Sequence, residues 1–192
     1  MARHKDYDRY DVLEKAVDVF WQKGYKACSV SDVVNATGLN TASMYKEFGD
    51  KDRLFEEALE HYREHILSPR LNALKDEPNI KGIEGFLQTI INGASSKGYR
   101  GCLMMNHLSQ KNSISPKAAK ILSEFCAETE DLLEVAFRNA QTHGEISRDK
   151  DPAVLASFVM CCVHGLVLYG RHPNAKSGIP KLRDVILHAL EQ

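Results

Sequence analysis

The stretch that most constrains the fold is Ser29–Phe48, whose pattern predicts two short helices separated by a glycine turn. Ser29 followed by Asp32 is a capping signal, because the hydroxyl and the carboxylate can each satisfy a backbone N–H group. Gly38 ends the first helix, since glycine adopts positive φ without steric cost. Asn40 can cap the second helix through its side-chain oxygen. Two short helices joined in this way are typical of a helix-turn-helix.

The second of these helices begins with small polar side chains, in the run Thr41-Ala42-Ser43. Met44 and Phe48 fall on its opposite, apolar side. Small hydrogen-bonding groups suit the DNA major groove, where bulky side chains would hold the helix backbone away from the base edges. The pattern therefore predicts that the start of this helix faces double-stranded DNA.

The overall charge gives no support to a nucleic-acid partner. The net charge of the 192 residues is −1, and a count over residues 1–55 finds 9 basic and 9 acidic side chains. DNA-binding domains commonly carry an excess of basic residues. Any affinity for DNA must therefore come from the local placement of charges.

The rest of the chain predicts an all-α fold of about nine helices, because apolar residues recur at helical spacing without sustained alternation. We expect a helix-turn-helix domain at residues 1–50 and a larger helical domain at residues 51–192. Beyond the pair in Ser29–Phe48, the expected helices span residues 7–23, 51–68, 80–94, 103–109, 116–142, 152–170 and 179–191, with a polar loop at 172–178.

The cysteines and the N-terminal segment favour a cytoplasmic protein. Five cysteines, including the adjacent pair Cys161-Cys162, form an odd set that does not resemble a disulfide framework. The first residues contain no apolar signal segment. Pro152–Gly170 carries no formal charge and is long enough to span a bilayer. Because it contains Ser157 and His164, we expect a helix buried in the protein or in an oligomer interface, and no membrane partner.

Several short motifs in the first third of the chain resemble the TetR family of bacterial transcriptional regulators. The remainder matches that family only by its number of helices and by Gly101-Cys102-Leu103. The motifs are Val12-Leu13-x-x-Ala16-x-x-x-Phe20, Gly24-Tyr25, Ser29-Val30, Gly38-Leu39, Met44-Tyr45-x-x-Phe48 and Lys51-x-x-Leu54-Phe55.

The resemblance implies a homodimeric repressor that a small-molecule effector releases from operator DNA, with effector binding and dimerisation assigned to residues 51–192. A reactive thiol at Cys102 would make that effector a thiol-reactive one. It places Lys51 at the start of the fourth helix, where its side chain is expected to contact a phosphate. Glu47 departs from the family pattern, and we expect its carboxylate to repel the DNA backbone. The DNA contacts implied by the resemblance are Ser29, Asn40, Thr41, Ala42, Ser43, Tyr45, Lys46 and Lys51.

The effector site is inferred from the kinds of residue that line pockets in helical proteins, namely aromatic, methionine and occasional polar side chains. Cys102 has two interpretations: a reactive thiol activated by nearby Arg100, or a small buried hydrophobic residue. The candidates for effector contact are Tyr62, Phe86, Cys102, Met104, His107 and Phe125.

The apolar C-terminal helices suggest a dimer interface. Ala156 and Gly165 would allow close helix approach across a two-fold axis, and Leu187 of the last helix could add apolar contact. His61 and His65 share one helix face at a spacing that metal sites use, but they lack a convincing third ligand, so a solvated face is favoured. We expect no metal and no cofactor.

A competing function is a helical-bundle enzyme or a metal-binding protein that does not bind DNA. The sequence shows no paired carboxylates, no nucleophile with an adjacent base and no phosphate-binding loop in support of it. The sequence therefore favours a DNA-binding regulator without enzymatic activity.

Overall fold

The structure, a computed structural model, describes residues 7–108, 110–172 and 178–191. Every regular element in these ranges is helical, which confirms the all-α prediction. Turns of π-helix (Arg63–Leu67) and of 3₁₀-helix (Ser68–Leu71 and Lys111–Ser113) separate some of the α-helices. These are α1 (Arg9–Lys23), α2 (Val30–Thr37), α3 (Thr41–Phe48), α4 (Lys51–Tyr62), α5 (Asn72–Asp76), α6 (Ile80–Ser95), α7 (Leu103–Leu108), α8 (Pro116–Thr142), α9 (Pro152–Tyr169) and α10 (Ile179–Glu191).

Packing divides the chain into two units. The head unit is the chain up to Ile66 together with Leu103–Ser123, and the body unit is Leu67–Cys102 together with the chain from Glu124 onward. The packing boundary therefore differs from the predicted boundary at residue 50, because α4, α7 and the start of α8 group with the first three helices.

The head unit is organised around aromatic side chains of α1 and α4. Phe20 and Phe55 are fully buried and meet edge-to-face, with ring centroids 4.9 Å apart. The Tyr25 ring lies 4.8 Å from Phe55. Burial of one such phenyl ring stabilises the fold by about 1.5–3 kcal/mol. This core fixes α1 against α4 and provides the support on which α2 and α3 pack.

In the body unit, α6 packs against α5, α9 and α10. The apolar residues of α6 recur every three or four positions, so one face of the helix is buried along its length. That face consists of Ile83, Phe86, Leu87, Ile90, Ile91 and Ala94.

The fourth helix is shorter than predicted, since α4 ends at Tyr62 and continues as the π-helical turn Arg63–Leu67. Ile66, in this turn, is 40% exposed. The wider π-turn inserts an extra residue and rotates the following side chains out of α-helical register. Most of the predicted loop at 172–178 lies outside the described residues, as does Ser109, the predicted end of α7.

Candidate nucleic-acid interface

The two helices of the predicted helix-turn-helix are α2 and α3, and both carry the predicted caps. Ser29 Oγ accepts a hydrogen bond from Asp32 N at 3.1 Å, and Ser29 N donates to Asp32 Oδ2 at 2.9 Å, which completes a capping box. Asn40 Oδ1 accepts from Ser43 N at 2.8 Å. Gly38 has φ 78°, a left-handed conformation that glycine adopts without strain. Local sequence at Gly38 and Asn40 therefore determines the turn that orients α3.

The two faces of α3 differ in the way the sequence predicts. Met44 is fully buried and Phe48 is 2% exposed, so both anchor the helix to the core of the head unit. Thr41 and Ala42 are exposed at the N-terminal end, and Ser43 is half-buried beside them. Toward the C-terminal end Tyr45 and Lys46 are exposed. This is a short polar helix face whose side chains are available to a partner.

Glu47 does not present a free carboxylate to the DNA backbone, contrary to our expectation. The Tyr7 hydroxyl donates to Glu47 Oε2 at 2.8 Å, and the Arg9 guanidinium forms an ion pair with the same side chain. Arg9 also pairs with Glu57 and lies 4.7 Å from the centroid of the Phe48 ring. Arg9, which Glu47 shares with Glu57, thus offsets the charge of Glu47 and connects α1 with α3 and α4.

Lys51 is oriented inward, which corrects the predicted contact between its ammonium group and phosphate. Lys51 Nζ donates to the carbonyl oxygens of Cys28 at 2.9 Å and Tyr25 at 3.1 Å. The ammonium also lies 4.3 Å from the centroid of the Tyr25 ring. Hydrogen bonds from a charged donor to carbonyls of this kind contribute about 1.5–3 kcal/mol each at most. Lys51 therefore holds the connection between α1 and α2 in place.

His107 also stabilises the connection between α1 and α2. His107 Nδ1 lies 2.8 Å from Leu103 O, and Tyr25 N donates to His107 Nε2 at 3.0 Å. Because a carbonyl oxygen only accepts, Nδ1 carries the proton and Nε2 is the unprotonated acceptor. Burial lowers the pKa of this imidazole, which favours the same neutral state. Both ring nitrogens are occupied, so His107 is corrected from an effector contact to a support for the head unit.

The structural roles of Arg9 and His107 were not predicted from the sequence. Arg9 lies 38 residues from Glu47, and His107 lies 82 residues from Tyr25. Helical periodicity and capping patterns report on neighbours within a few positions and carry no signal at such separations. The opposite charges of Arg9 and Glu47 were the one sequence feature that indicated their ion pair.

The remaining effector candidates are divided between the two units. Tyr62 and Met104 belong to the core of the head unit, with the Tyr62 hydroxyl accepting from Leu103 N at 3.4 Å. Phe86, Cys102 and Phe125 belong to the body unit, and each is at most 6% exposed. The burial of Cys102 agrees with its interpretation as a small hydrophobic residue, and its reactivity as a sensor stays a prediction.

The His61 and His65 pair also differs from expectation. His61 is 8% exposed, with its ring centroid 4.7 Å from that of Tyr10, so only His65 lies on a solvated face. Within the part of the chain that the structure describes, no group of three or more histidine, cysteine, aspartate or glutamate residues is arranged to hold a metal ion.

The apolar helix α9 is buried on one side and exposed on the other. It is the one helix among the described residues that is long and apolar enough, by length and composition, to cross a bilayer. Ala156 is fully buried within the body unit, which corrects its assignment to a dimer interface, whereas Gly165 is exposed and Leu187 of α10 is half-buried. The exposed residues at spacings of four and three, here called the α9 strip, are Val154, Phe158, Cys161, Gly165 and Leu168.

The capped helices α2 and α3, joined at Gly38 and packed on the core of the head unit, have the arrangement of the helix-turn-helix class of DNA-binding proteins. The family of bacterial regulatory proteins, tetR family, matches residues 12–58. The HTH-type transcriptional repressor ComR of Escherichia coli (strain K12) is 31% identical over 173 residues, covering 88% of this chain and 82% of that protein. The chain belongs to the TetR family of transcriptional regulators.

Solved structures agree with this assignment. A cysteine mutant of the TetR family transcriptional regulator CifR, complexed with 26 bp double-strand operator DNA, has 26% sequence identity and a TM-score of 0.81, covering 97% of this chain and 99% of that one. The reduced form of E. coli NemR is similar in fold, with a TM-score of 0.80 at 17% identity over 93% of this chain and 94% of that one. The protein is thus a DNA-binding transcriptional regulator, which removes the enzyme alternative.

Proposed function

We propose that this protein is a cytoplasmic, homodimeric repressor that a small-molecule effector releases from a near-palindromic operator. The observation that carries the proposal is the exposed polar face of α3, held by the Asn40 cap and by the buried Met44 and Phe48. Repression is supported by the similarity to ComR, which is a transcriptional repressor. All five cysteines are free thiols, in agreement with a reducing cytoplasm.

The DNA contacts proposed for each residue follow from its position. Thr41, Ala42 and Ser43 at the start of α3 would read base edges, while Tyr45 and Lys46 would contact phosphates. Ser29 and Asn40 lie at the N-termini of α2 and α3, where their side chains cap the helices and the helix ends favour phosphate. Lys51 contributes its backbone N–H at the start of α4, while its ammonium supports the fold.

The proposed dimer forms through the α9 strip. Leu168 is 69% exposed and Val154 is 63% exposed, which leaves apolar surface uncovered in one copy of the chain. The spacing of four and three residues matches the seam by which two helices pack against each other. A Cβ added at Gly165 would meet nothing within 4 Å, so this glycine leaves room for a second helix. Pairing of two α9 strips would cover this surface and place two copies of α3 for two successive major grooves.

The proposed effector site lies in the body unit. Ser95 Oγ and His164 Nε2 are buried there and form no hydrogen bond with any residue that the structure describes. Unsatisfied buried polar atoms are costly, so a polar effector that bonds to them would gain affinity. An effector releases DNA when it binds more tightly to a conformation in which the two copies of α3 no longer match the operator.

The proposal is tested by measuring DNA affinity by fluorescence anisotropy between 50 and 300 mM salt, a range that resolves phosphate contacts (~tenfold or more in affinity). Thr41→Ala and Ser43→Ala are expected to change the preferred sequence, whereas Tyr45→Phe should weaken binding to all sequences alike. Affinity that does not depend on salt would contradict the proposal.

The narrower hypothesis of a thiol-reactive effector is tested with N-ethylmaleimide on the operator complex. Release of DNA that is lost in Cys102→Ser but kept in Cys162→Ser, a matched change at a half-buried cysteine outside the α9 strip, would support it. Equal release from both variants would assign the response to another thiol.

A further inference from the structure

An open hollow of ≈ 210 Å³ lies within the head unit, between α1, α4 and the start of α8. None of the six predicted effector residues lines it. Its apolar walls are Leu13 and Ile121, and the rest of its lining is dominated by glutamate side chains that α4 and the following π-turn present. We propose that this hollow binds a small organic ammonium ion, because four carboxylates, a buried histidine that makes no hydrogen bond with a described residue, and two apolar walls converge on it.

The charges around the hollow are unequally compensated. Glu56 is neutralised, since Lys117 Nζ lies 3.3 Å from one carboxylate oxygen and Ser115 Oγ donates to the other at 2.6 Å. Glu57 is paired with Arg9. These two carboxylates are structural, and a ligand would have to displace an existing cation to reach them.

The other two carboxylates are more available. Glu60 is 3.8 Å from Arg63 and retains 43% of its side-chain exposure. Glu64 makes no ion pair with any residue that the structure describes. An exposed carboxylate beside other carboxylates attracts a cation, and that attraction is stronger next to apolar walls than in open water.

His61 gives the second, independent indication of a ligand. Its side chain is 8% exposed, faces the hollow and forms no hydrogen bond with a described residue. Its ring is held by Tyr10 and by His65, whose ring centroid is 4.4 Å away. Burial, followed by the neighbouring His65, lowers the pKa of His61, so the neutral ring offers an acceptor to an N–H donor.

The chemistry of the hollow selects an organic cation over a bare metal ion. No group of three or more ligating side chains among the described residues has an arrangement suited to a metal. Leu13 and Ile121 provide apolar surface that a metal ion would not use, whereas a short hydrocarbon attached to an ammonium would cover it. A volume of ≈ 210 Å³ is below the ~300–1,000 Å³ of drug-sized pockets, so the ligand is small.

The experiment uses the full chain without DNA, so that its outcome is independent of operator recognition. Benzylamine, its neutral analogue benzyl alcohol and magnesium chloride are titrated separately while the His61 ring signals are followed by NMR. We expect saturable shifts with benzylamine alone. The double variant E60Q/E64Q should weaken benzylamine binding by about tenfold. The control E84Q, at an exposed glutamate of α6 in the body unit, should leave it unchanged.

Four results would overturn the inference. The first is no saturable change at His61 with benzylamine, and the second is an equal response to benzyl alcohol, which would show that charge is not recognised. The third is unchanged affinity in E60Q/E64Q, and the fourth is a response to magnesium alone. Because both substitutions are at solvent-accessible positions and keep the side-chain shape, loss of binding in a variant with an unchanged circular dichroism spectrum cannot be assigned to misfolding.

Discussion

The helices α3 and α9 both expose a face, and the two faces have opposite chemistry. The exposed side of α3 carries short polar and cationic side chains, including Thr41 and Lys46. The exposed side of α9 carries Val154, Phe158 and Leu168. A polar face is stable in water and can later exchange its hydration for contacts to DNA. A continuous apolar face is costly in water and indicates a permanent partner.

Under the proposed function, the two surfaces have separate roles: α3 binds DNA reversibly, and the α9 strip forms a lasting interface with a second copy of the chain. In each unit, buried apolar side chains lie beneath the exposed face. They are Met44 and Phe48 in α3, and Val159, Val163 and Leu166 in α9. Substitutions on the exposed faces should therefore alter partners, while substitutions beneath them should alter stability.

The largest effect is expected from a charge in the α9 strip. Leu168→Glu places a carboxylate in the proposed interface, where it would be buried without a partner. We expect a monomer in sedimentation velocity at micromolar concentration and a loss of operator affinity of about 100-fold or more, because one half-site must then be bound alone. Val135→Glu, at a 48% exposed apolar position of α8 outside the strip, is the matched control and should stay dimeric.

Removal of the Lys51 ammonium tests whether that side chain supports the fold. Lys51→Met keeps the aliphatic length but leaves the carbonyls of Tyr25 and Cys28 without their donor. We expect the free energy of unfolding to fall by about 2 kcal/mol in urea titrations. A protein of unchanged stability with a smaller salt dependence of DNA binding would instead support the phosphate contact that the sequence had suggested.

The support given by His107 should appear as a pH dependence of stability. The native pKa of His107 is lowered by burial, so the unfolded state takes up the proton first as pH falls. Stability from this group is fully present above the unfolded pKa of ~6.5 and is lost below it, as pH falls toward the lower native pKa. The urea midpoint should therefore decrease between pH 7.5 and 5.5.

Two substitutions distinguish the stability that comes from the hydrogen bond between Tyr25 N and His107 from the pH dependence that comes from protonation of His107. His107→Gln keeps an acceptor for Tyr25 N and does not titrate, so it should retain most of the stability and show a smaller pH slope. His107→Leu leaves that N–H buried and unpaired, at a cost of about 1–3 kcal/mol. Burial also lowers the pKa of His61 and His164, so part of the slope should remain in both variants. A slope that is the same in all three proteins would contradict this role of His107.

The smallest effect is expected on the polar face itself. Lys46→Ala should reduce affinity for all DNA sequences about fivefold and lower the salt slope by about one, as loss of one phosphate contact does. Its urea midpoint should not change, since Lys46 is exposed. Lys26→Ala, another exposed lysine of the head unit, provides a comparison that shows whether the effect is specific to α3.

The two surfaces also differ in how far sequence could predict them. The caps at Ser29 and Asn40, the turn at Gly38 and the two faces of α3 were predicted because each depends on residues within four positions. The inward orientation of Lys51 and the hydrogen bond of His107 to Tyr25 could not be predicted, because their partners are determined by packing between distant segments. For α9, composition predicted an apolar interface, but its uniform hydrophobicity could not show that Ala156 faces inward and Leu168 outward.

The central claim is that two copies of α3 read two half-sites because the α9 strip joins two chains. The most direct test is sequencing of the DNA that the wild-type protein selects from a random duplex pool. We expect the selected DNA to contain an inverted repeat whose half-sites have centres about one helical turn, or a multiple of it, apart. An enriched single half-site without a repeat, or no enrichment at all, would contradict it.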